Sequence, residues 1–488
     1  MFQRRTKKQL IIRRVLTYVI MTLAVFVIVA GTILFILGYR LDSDKGSLEQ
    51  GALIQFDSAP NGAMVSIDGQ SINSRTPSKQ SIQAGQHSFS VQRDSYKTWN
   101  KSLSVKAGTL TWLDYIRLVP KNLPTESVAS YETVVGEKAS PDNKWLLVQE
   151  KADVASFQLI DLRAQQIKSS LVSIPATVYS EAATANVSHN FAMESWDEGG
   201  RYVLVKHTYA DKSEHIIVDT QSPDTSINVS RLLSISLSNV TFSGTSGKIL
   251  YGLSDGVIRK LDVSNGTISR ALVSNVQSFD VYDTNIITYV GIDTLNPAQQ
   301  VAGIYRDGDE VPHILRTIKS LDTVVKIDTA RYYNDDYVAV SEGSKVTLFK
   351  GRYPASGSAD TSSLKVYAEF MATAVVDNLT FSDEGDFLVA QSGLKFIGYE
   401  VEYMRFTNGA VGTNETAART LKWLDSAYLW VVYDGQLSIR EFDGANASII
   451  MPMEAGFDAA LSQNGRYLYG IVKSDAGYQL QRVRMIVE

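Results

Sequence analysis

The segment FSDEGDFLVA, residues Phe381 to Ala390, contains the pattern that decides the fold of this chain. A polar turn that ends in Gly, Asn or Asp is followed, after a residue or two, by a strand-like run of aromatic and aliphatic side chains. The same phrase recurs in SPDNKWLLV (Ser140 to Val148), DEGGRYVLV (Asp197 to Val205), SGTSGKILYG (Ser243 to Gly252) and LSQNGRYLYG (Leu461 to Gly470). Fainter copies are DTNIITYV, YNDDYVAV and LDSAYLWVV. The chain therefore contains a repeated unit.

The spacing of these copies predicts the architecture. The residues that begin the strand-like run of each copy are Trp145, Tyr202, Ile249, Ile286, Tyr337, Phe387, Tyr428 and Tyr467, and the mean interval between them is 46 residues. A period of about 40–50 residues with several strands per unit is typical of β-propeller blades. A long β-sandwich is the alternative architecture, but eight related units fit a sandwich poorly. Because some copies are faint, we predict a seven- or eight-bladed propeller over residues 125–488.

The repeated phrase also resembles that of a known class of propeller. Ser140-Pro141-Asp142 and Ser382-Asp383-Glu384-Gly385 are similar to the Ser-Pro-Asp-Gly signature of TolB-like, WD40-type propellers. In such a turn Ser and Asp cap backbone N–H groups, and Gly permits a positive φ. The resemblance implies a blade and assigns no activity.

A second decisive segment lies near the N-terminus. Residues 15–39, VLTYVIMTLAVFVIVAGTILFILGY, contain no charged side chain. At about 1.5 Å per residue, a helix of this length exceeds the roughly 30 Å hydrocarbon core of a bilayer, which predicts a transmembrane helix. Six Lys or Arg and no acid in residues 1–14 predict a cytoplasmic tail. A cleaved signal peptide is the alternative, but its apolar region is only about 7–15 residues long. We therefore expect an uncleaved anchor, followed by a polar linker at residues 40–50.

Residues 51–119 predict a small all-β domain. The runs LIQFDS, AMVSID, HSFSVQRD and KSLSVKAG alternate apolar with polar side chains, as β-strands with one buried face do. Asp68-Gly69 predicts a tight hairpin turn, since Gly, Asn and Asp adopt positive φ at the lowest cost. We expect these strands to form a β-sandwich.

The sandwich segment resembles a PEGA domain. The marks are SAPNGAMVSIDG (Ser58 to Gly69), the step Thr76-Pro77, and AGQHSFSVQRDSYKTW (Ala84 to Trp99). That family carries Pro-Glu-Gly-Ala before a strand that ends in Asp-Gly, whereas this chain has Asn61 in place of the Glu and Ser95 in place of a later Gly. The resemblance implies an extracytoplasmic, surface- or wall-associated adaptor without catalysis.

Composition excludes several classes of site. The formal charge is −5, and it becomes −11 once the six positive charges of residues 1–14 are set aside. A body this acidic argues against a nucleic-acid-binding domain, which would show a basic face. The chain has no cysteine, which excludes disulfides, thiolate zinc sites, iron–sulfur clusters and thiol nucleophiles.

The histidines are the residues to consider for a metal site. His87 lies on a predicted strand without ligand partners nearby, and we expect it to be structural. His207 and His215 lie on adjacent strand-like segments and could face each other across a hairpin that turns at Asp211-Lys212. A metal would need one or two more ligands, and Glu214 points to the opposite face from His215. We therefore expect a pair of surface histidines.

Loop carboxylates and two tryptophans are the residues to consider for catalysis or ligand binding. Carboxylates on loops of different blades could form a glycosidase pair, and the candidates are Asp197, Glu198, Asp335 and Asp336. Loop acids without a catalytic role are the expected alternative. Trp423 and Trp430 could place one ring near a loop as a platform for a sugar or peptide, although core packing is the default for strand aromatics. We predict no catalytic, cofactor-binding or metal-binding residue and no cofactor.

These expectations combine into one functional hypothesis. We expect a non-enzymatic, single-pass membrane protein of the cell envelope, with a cytoplasmic N-terminus and extracytoplasmic sandwich and propeller. The sandwich would act as a stalk or wall contact, and the propeller would bind an envelope protein or polysaccharide. The alternative is a propeller hydrolase or lyase that acts on extracellular polysaccharide. Acids about 5–10 Å apart near the propeller axis, over an Arg or aromatic floor, would favour that alternative.

Overall fold

The computed structural model describes residues 7–36, 39–41, 48–184, 186–354, 363–413 and 420–487. The chain divides into two compact units, Met1–Asn122 and Leu123–Glu488. The first unit contains one long helix and a small all-β domain, and the second is almost entirely β. Residues 1–6 of the predicted tail and 42–47 of the predicted linker lie outside the described residues.

Helix α1 spans Lys7–Ile36 and is about 45 Å long at 1.5 Å per residue. Its apolar part, Ile11–Leu34, has a mean hydropathy of 2.4, and none of it is buried against the rest of the protein. Three threonines within it donate their hydroxyls to backbone carbonyls four residues earlier, each at 2.8 Å: Thr17, Thr22 and Thr32. The helix thus satisfies its own polar groups, which is what a hydrocarbon environment requires.

Two short strands, β1 (Tyr39–Leu41) and β2 (Leu48–Gln50), pair antiparallel. Strand β1 begins at Tyr39, the last residue of the predicted transmembrane segment, and β2 lies in the predicted linker. Seven further strands complete the first unit: β3 (Ala52–Ala59), β4 (Met64–Ile67), β5 (Gln70–Arg75), β6 (Ser78–Ile82), β7 (Gly85–Gln92), β8 (Trp99–Val105) and β9 (Leu110–Arg117). They form a three-stranded sheet of order β6-β3-β9 and a four-stranded sheet of order β5-β4-β7-β8. These are the two layers of the predicted sandwich.

Alternation along the strands builds the core of the sandwich. Ile54 and Phe56 of β3 are fully buried, as are Val65 of β4 and Val91 of β7, whereas their sequence neighbours are more exposed. Asp68 and Gly69 have positive φ and join β4 to β5 in the two-residue hairpin that their sequence predicts.

The second unit begins with β10 (Thr125–Tyr131), and the described strands that follow fall into eight four-stranded sheets, which are the blades. Blade 1 consists of β11 (Gly136–Ala139), β12 (Trp145–Gln149), β13 (Ser156–Asp161) and β14 (Lys168–Ser173), and blade 2 of β15 (His189–Trp196), β16 (Tyr202–Tyr209), β17 (Lys212–Asp219) and β18 (Ile227–Asn228). Blade 3 consists of β19 (Asn239–Phe242), β20 (Ile249–Ser254), β21 (Val257–Asp262) and β22 (Thr267–Ile268), and blade 4 of β23 (Val276–Tyr282), β24 (Ile286–Ile292), β25 (Gln300–Arg306) and β26 (His313–Ile318). A 3₁₀ turn (Pro223–Thr225) and helix α2 (Val229–Leu233) flank β18.

Blades 5 to 7 consist of β27 (Val325–Tyr332), β28 (Asp335–Glu342), β29 (Lys345–Gly351), β30 (Leu364–Met371); β31 (Asn378–Phe381), β32 (Phe387–Ser392), β33 (Lys395–Glu400), β34 (Arg405–Ala410); and β35 (Lys422–Trp423), β36 (Tyr428–Tyr433), β37 (Gln436–Glu441), β38 (Ser448–Pro452). Blade 8 has β39 (Ala460–Leu461), β40 (Tyr467–Ser474) and β41 (Gly477–Arg484), and β10 supplies its fourth strand. The N-terminal strand therefore closes the ring on the C-terminal blade.

The repeat read from the sequence corresponds to the blades. All eight residues that define the 46-residue mean interval lie at or near the start of the second strand of a blade. The structure thus settles the blade number at eight within the described residues. The hairpin pairs Asp255-Gly256 and Asp434-Gly435 have positive φ and connect second to third strands.

The repeated phrase is a capped turn between the first and second strands of a blade. In blade 6 the Phe387 backbone N–H donates to Ser382 Oγ at 3.1 Å, and that hydroxyl donates to Asp386 Oδ1 at 2.6 Å. Gly385 in the same turn has φ +76°, and a Cβ there would lie 2.7 Å from the carbonyl oxygen of Arg331 in blade 5. The turn therefore requires glycine both for its conformation and for its close approach to the previous blade.

The hydrophobic core lies between neighbouring blades. One cluster joins Tyr337 and Leu348 of blade 5 to Leu388 and Tyr399 of blade 6. Another joins Leu146, Val148 and Ile160 of blade 1 to Tyr469 and Ile471 of blade 8. Each such fully buried side chain contributes about 1.5–3 kcal/mol. A blade that cannot bury both faces alone is stabilised in this way by its two neighbours.

Candidate functional site

The innermost strands of the propeller place one side chain from every blade at the same level. The first strands of neighbouring blades contact each other, as β11 does with β15 and β27 with β31, which puts them nearest the axis. The second strand of each blade contains one of the residues that define the sequence repeat. In each blade we consider the first-strand residue that pairs with the position two places after that residue. These eight residues, the axial ring, are Lys138, Ser195, Thr241, Asp280, Asp328, Thr380, Lys422 and Ala460. Except for buried Ala460, they are exposed or half-buried.

One side of the axial ring is acidic. Desolvation raises the pKa of Asp328 to about 7, and the nearby Asp280 carboxylate adds to the shift. The pKa of Asp280 is raised as well, because surrounding protein removes part of its hydration although the side chain is accessible to solvent. Asp328 Oδ2 accepts the Phe381 N–H at 2.7 Å, and Oδ1 accepts the Thr329 N–H at 2.8 Å. Asp328 therefore fastens blade 5 to blade 6.

The opposite side of the ring is basic and paired with acids from blades 8 and 1. Lys422 forms an ion pair with Asp458, and the Asp458 backbone N–H donates to Glu137 Oε1 at 2.5 Å. Glu137 is 7% exposed, and its other carboxyl oxygen has no hydrogen-bond partner. Burial, reinforced by the Asp458 charge, raises the pKa of Glu137 to about 8. The carboxyl group is therefore largely protonated at neutral pH.

The predicted histidine pair has a different arrangement. The register of blade 2 places His207 opposite Glu214 and His215 opposite Lys206, so the two histidines do not face each other. Both are completely buried, so the expectation of a surface pair is wrong. The hairpin turns at residues 210–211, one position earlier than predicted, and Ala210 has positive φ there. The two histidines point to opposite faces of the blade because successive residues of a strand alternate between faces, and this register pairs His207 with Glu214.

His207 belongs to a buried network in blade 2. Its Nδ1 lies 2.8 Å from Glu214 Oε1, and its Nε2 lies 2.9 Å from His189 Nδ1. Ser180 donates its backbone N–H and its hydroxyl to the two oxygens of Glu214 at 2.8 and 2.7 Å. His215 lies on the other face, with Nε2 at 3.3 Å from Glu194 Oε2 and without hydrogen-bond geometry. Within the described residues, no three His, Asp or Glu side chains converge as a metal site.

Of the four acids considered as catalytic candidates, Asp197 and Glu198 lie in the turn between the first and second strands of blade 2, whereas Asp335 and Asp336 begin the second strand of blade 5. Asp197 is fully buried and accepts the Tyr202 N–H at 2.7 Å as the cap of its turn. Asp336 accepts hydrogen bonds from Arg331 Nε and the Tyr353 N–H, both at 2.7 Å. Asp335 forms an ion pair with Lys350 at 3.1 Å, and Glu198 remains exposed next to Asp197.

The two tryptophans are packed rather than displayed. Trp430 is 5% exposed, with the Lys422 ammonium 5.4 Å above its ring, and Trp423 packs against the core between blades 6 and 7. Neither ring provides the open platform that their spacing suggests.

One face of the propeller displays apolar side chains. Second-to-third-strand turns and the connections between blades lie at one end of the blades, which we call the D–A face. Eight large hydrophobic residues exposed by 42–94% lie there within the described residues: Val135, Val154, Leu232, Leu295, Leu321, Val324, Met371 and Val375. The opposite face is formed by the capped turns and the third-to-fourth-strand turns. Among the described residues it displays three exposed large hydrophobic side chains: Val311, Tyr333 and Met404.

The sandwich of the first unit matches a known family. Residues 52–122 match the sequence profile of the PEGA domain. The sandwich is a PEGA domain. Its His87 contacts two groups of the same domain: Nδ1 lies 2.6 Å from Asp68 Oδ2, and Nε2 lies 2.9 Å from the Gln83 carbonyl oxygen. Asp68 thereby ties the hairpin turn of the PEGA domain to strand β7.

Comparison with solved structures finds β-propellers. The β-propeller domain of Cps50 (Swd1) from Myceliophteria thermophila is 10% identical, with a TM-score of 0.40, covering 75% of this chain and 100% of that one. Kluyveromyces lactis Hsv2 is 12% identical, with a TM-score of 0.39, covering 72% of this chain and 99% of that one. A search of curated proteins gave no match.

Proposed function

We propose that this chain is a non-enzymatic, membrane-anchored scaffold of the cell envelope. Helix α1 would be an uncleaved single-pass anchor with a cytoplasmic N-terminus, the PEGA domain a stalk or wall contact, and the propeller the platform that binds a partner protein. The apolar length of α1 and the six positive charges of residues 1–14 support the anchor and its orientation.

The observation that carries the binding role is the distribution of exposed apolar side chains. Soluble surfaces display isolated apolar residues, but their concentration on one face is typical of a contact surface. The side chains of the D–A face are Leu, Val and Met, which suit a protein partner. A sugar-binding platform would present aromatic rings, and the exposed set on this face contains none. We therefore favour a protein partner over a polysaccharide.

Crosslinking of the full-length chain in intact cells tests the binding role. Leu295→Glu and Val375→Glu each place a charge on the D–A face, at positions exposed by 94% and 50%, where folding does not depend on the side chain. Val311→Glu, at a position exposed by 53% on the opposite face, is the matched control. We expect both D–A variants to lose specific crosslinked adducts that the control retains. Adducts that all three variants retain would contradict the proposal.

Fractionation and protease treatment of cells test the anchor. We expect the chain to stay with membranes after alkaline extraction, to keep its N-terminal residues, and to lose its C-terminal units to protease added outside the cell. A mature chain that begins after residue 36 would identify a cleaved signal sequence instead.

A second candidate, a polysaccharide hydrolase, is favoured by one observation. Asp328, with a pKa near 7, is close enough to Asp280 for their charges to interact, and such pairs serve as general acid and partner in glycosidases. Against it, both oxygens of Asp328 accept backbone N–H groups, and the axial ring contains no Arg or aromatic residue. Release of reducing ends from envelope polysaccharide by the wild-type chain, abolished in Asp328→Asn, would establish this alternative.

A further inference from the structure

The PEGA domain contains a polar cavity of about 400 Å³. The proposed binding role of the propeller does not involve this cavity. Three cationic side chains from three separate segments line it: Arg75 on β5, Arg93 just after β7, and Lys121 after β9. Asp94 is the one acid in the lining, and Gln92 adds an amide. The lining therefore carries a net positive charge.

Hydrogen bonds to one loop hold the two guanidinium groups in place. Arg75 Nη1 donates to the Gly62 carbonyl at 2.8 Å, and Arg93 Nη1 donates to the Asn61 carbonyl at 2.7 Å. Both acceptors belong to the Pro60-Asn61-Gly62-Ala63 turn, so neutral carbonyls position both arginines and leave their charges uncompensated. A guanidinium has five N–H donors, and each of these groups therefore has donors left for a ligand.

The third cation is positioned by backbone contacts. The Lys121 N–H donates to the Ser95 carbonyl at 2.9 Å, which fixes the segment after β9 beside the turn after β7. Tyr96 of the same turn is 2% exposed and pairs with Pro120, and the Arg93 guanidinium lies 5.7 Å from its ring centroid. The cavity wall is thus part of the folded domain. No ion pair joins Arg75, Arg93 or Lys121 to a carboxylate in the described part of the chain.

The charge of the whole domain agrees with that of its cavity. Residues 51–122 contain eight Lys or Arg and four Asp, with no Glu, whereas the chain as a whole is acidic. A basic domain attached to an acidic propeller attracts anions selectively to one module. The position that is Glu in the family's motif is Asn61 here, which leaves the loop beside the two arginines uncharged.

We propose that this cavity binds a phosphate group of an envelope polymer that carries hydroxyl groups. Three donors that approach from different segments suit a tetrahedral oxyanion, whereas a planar carboxylate is satisfied by one bidentate arginine. The amide of Gln92 and the hydroxyl of Thr98 in the lining can accept hydrogen bonds from, or donate them to, a polyol or sugar next to the phosphate. The inference deepens the proposed wall-contact role of the PEGA domain and rests on it.

Calorimetric titration of the full chain with sn-glycerol 3-phosphate tests the pocket. The chain is kept in dodecyl maltoside, a detergent without phosphate, so that no lipid headgroup competes. We expect Arg93→Gln and Asn61→Glu each to weaken binding by about tenfold or more, because the first removes a positive charge next to the ligand and the second adds a negative one. Lys106→Gln changes the net charge of the domain equally but lies outside the lining, and we expect less than about a twofold effect.

The outcomes separate the possible ligands. No binding by the wild-type chain, or equal weakening by Arg93→Gln and Lys106→Gln, would overturn the proposal. Tighter binding of glycerate than of glycerol phosphate would identify a carboxylate ligand and also contradict it. Loss of glycerol phosphate binding in phosphatidylglycerol nanodiscs would assign the pocket to lipid headgroups instead of a polymer. Because this titration does not involve the D–A face, its failure is distinguishable from failure of the crosslinking test.

Discussion

Replacement of Glu137 by glutamine isolates the effect of one buried carboxyl group on the stability of the propeller. Glu137 lies on the innermost strand of blade 1, is 7% exposed, and accepts one hydrogen bond, from the backbone of Asp458 in blade 8. Glutamine has nearly the same shape and retains that acceptor. Its amide N–H₂ occupies the position of the carboxyl oxygen that has no partner, so it leaves a donor unsatisfied there just as the O–H of the protonated glutamate does.

The pKa of Glu137 determines how the stability depends on pH. Burial raises this pKa from 4.5 to about 8, so the folded chain holds the proton that the unfolded chain has lost. Between pH 4.5 and 8 each pH unit removes about 1.4 kcal/mol of stability, about 5 kcal/mol in all. Below pH 4.5 both states bind the proton and the contribution is constant. For a unit of this size, about 5 kcal/mol corresponds to a shift of ~6 °C in Tm.

Thermal unfolding of the full chain in detergent, at pH 5, 6, 7 and 8, measures this dependence. We expect the two proteins to have similar Tm values at pH 5, and the wild-type Tm of the propeller to fall toward pH 8 relative to that of Glu137→Gln. The difference between the two proteins cancels the contributions of other titrating groups, such as Asp328. Parallel curves over the whole range would refute the reasoning, since they would mean that Glu137 is ionised at little cost in the folded state.

Two further perturbations test the turn and the blade 2 network. Gly385→Ala should cost about 2–4 kcal/mol, because it combines a positive φ with a backbone oxygen 2.7 Å from the new Cβ. Gly435→Ala, with φ +69° and open space around the Cβ, should cost about 1 kcal/mol, and denaturant unfolding compares the two. Burial alone would raise the pKa of Glu214, but hydrogen bonds from His207 and Ser180 lower this pKa to about 2. The wild-type chain should therefore lose about 3 kcal/mol as pH falls from 4.5 to 2, a loss that thermal unfolding should not detect in Glu214→Gln.

The sequence predicts the propeller because its second strands are buried on both faces and follow a turn with fixed chemistry. Phe387 to Ala390 are all buried, which requires continuous apolar residues, and the Ser382 cap and Gly385 mark the turn before them. Such local requirements recur in each blade and therefore appear as a period. The closure of the ring by β10 has no comparable mark, since its seven residues are mostly polar.

Features that depend on register or on long-range packing are not visible in the sequence. The axial ring takes one residue from each blade, and only the strand pairing shows that Asp280 and Asp328 occupy equivalent positions. Strands β5 and β6 of the PEGA domain were not among the predicted strands because they are polar edge strands with little alternation. The sequence leaves open whether His207 faces His215, because nothing in it marks the hairpin register that pairs His207 with Glu214.

The capped-turn face and the D–A face of the propeller differ because of how each repeat is built. Turns between first and second strands are two to six residues long and are held by Ser caps, as at Ser140 and Ser462, or by a buried Asp, as at Asp197. A mutation there disturbs the contact between neighbouring blades, so this face has little freedom to acquire a binding surface. The connections between blades differ in length, from the four residues before β11 to the fifteen before β15. Binding specificity in a propeller of this kind is therefore expected on the D–A face, where Leu295 and Val375 are exposed without a structural role.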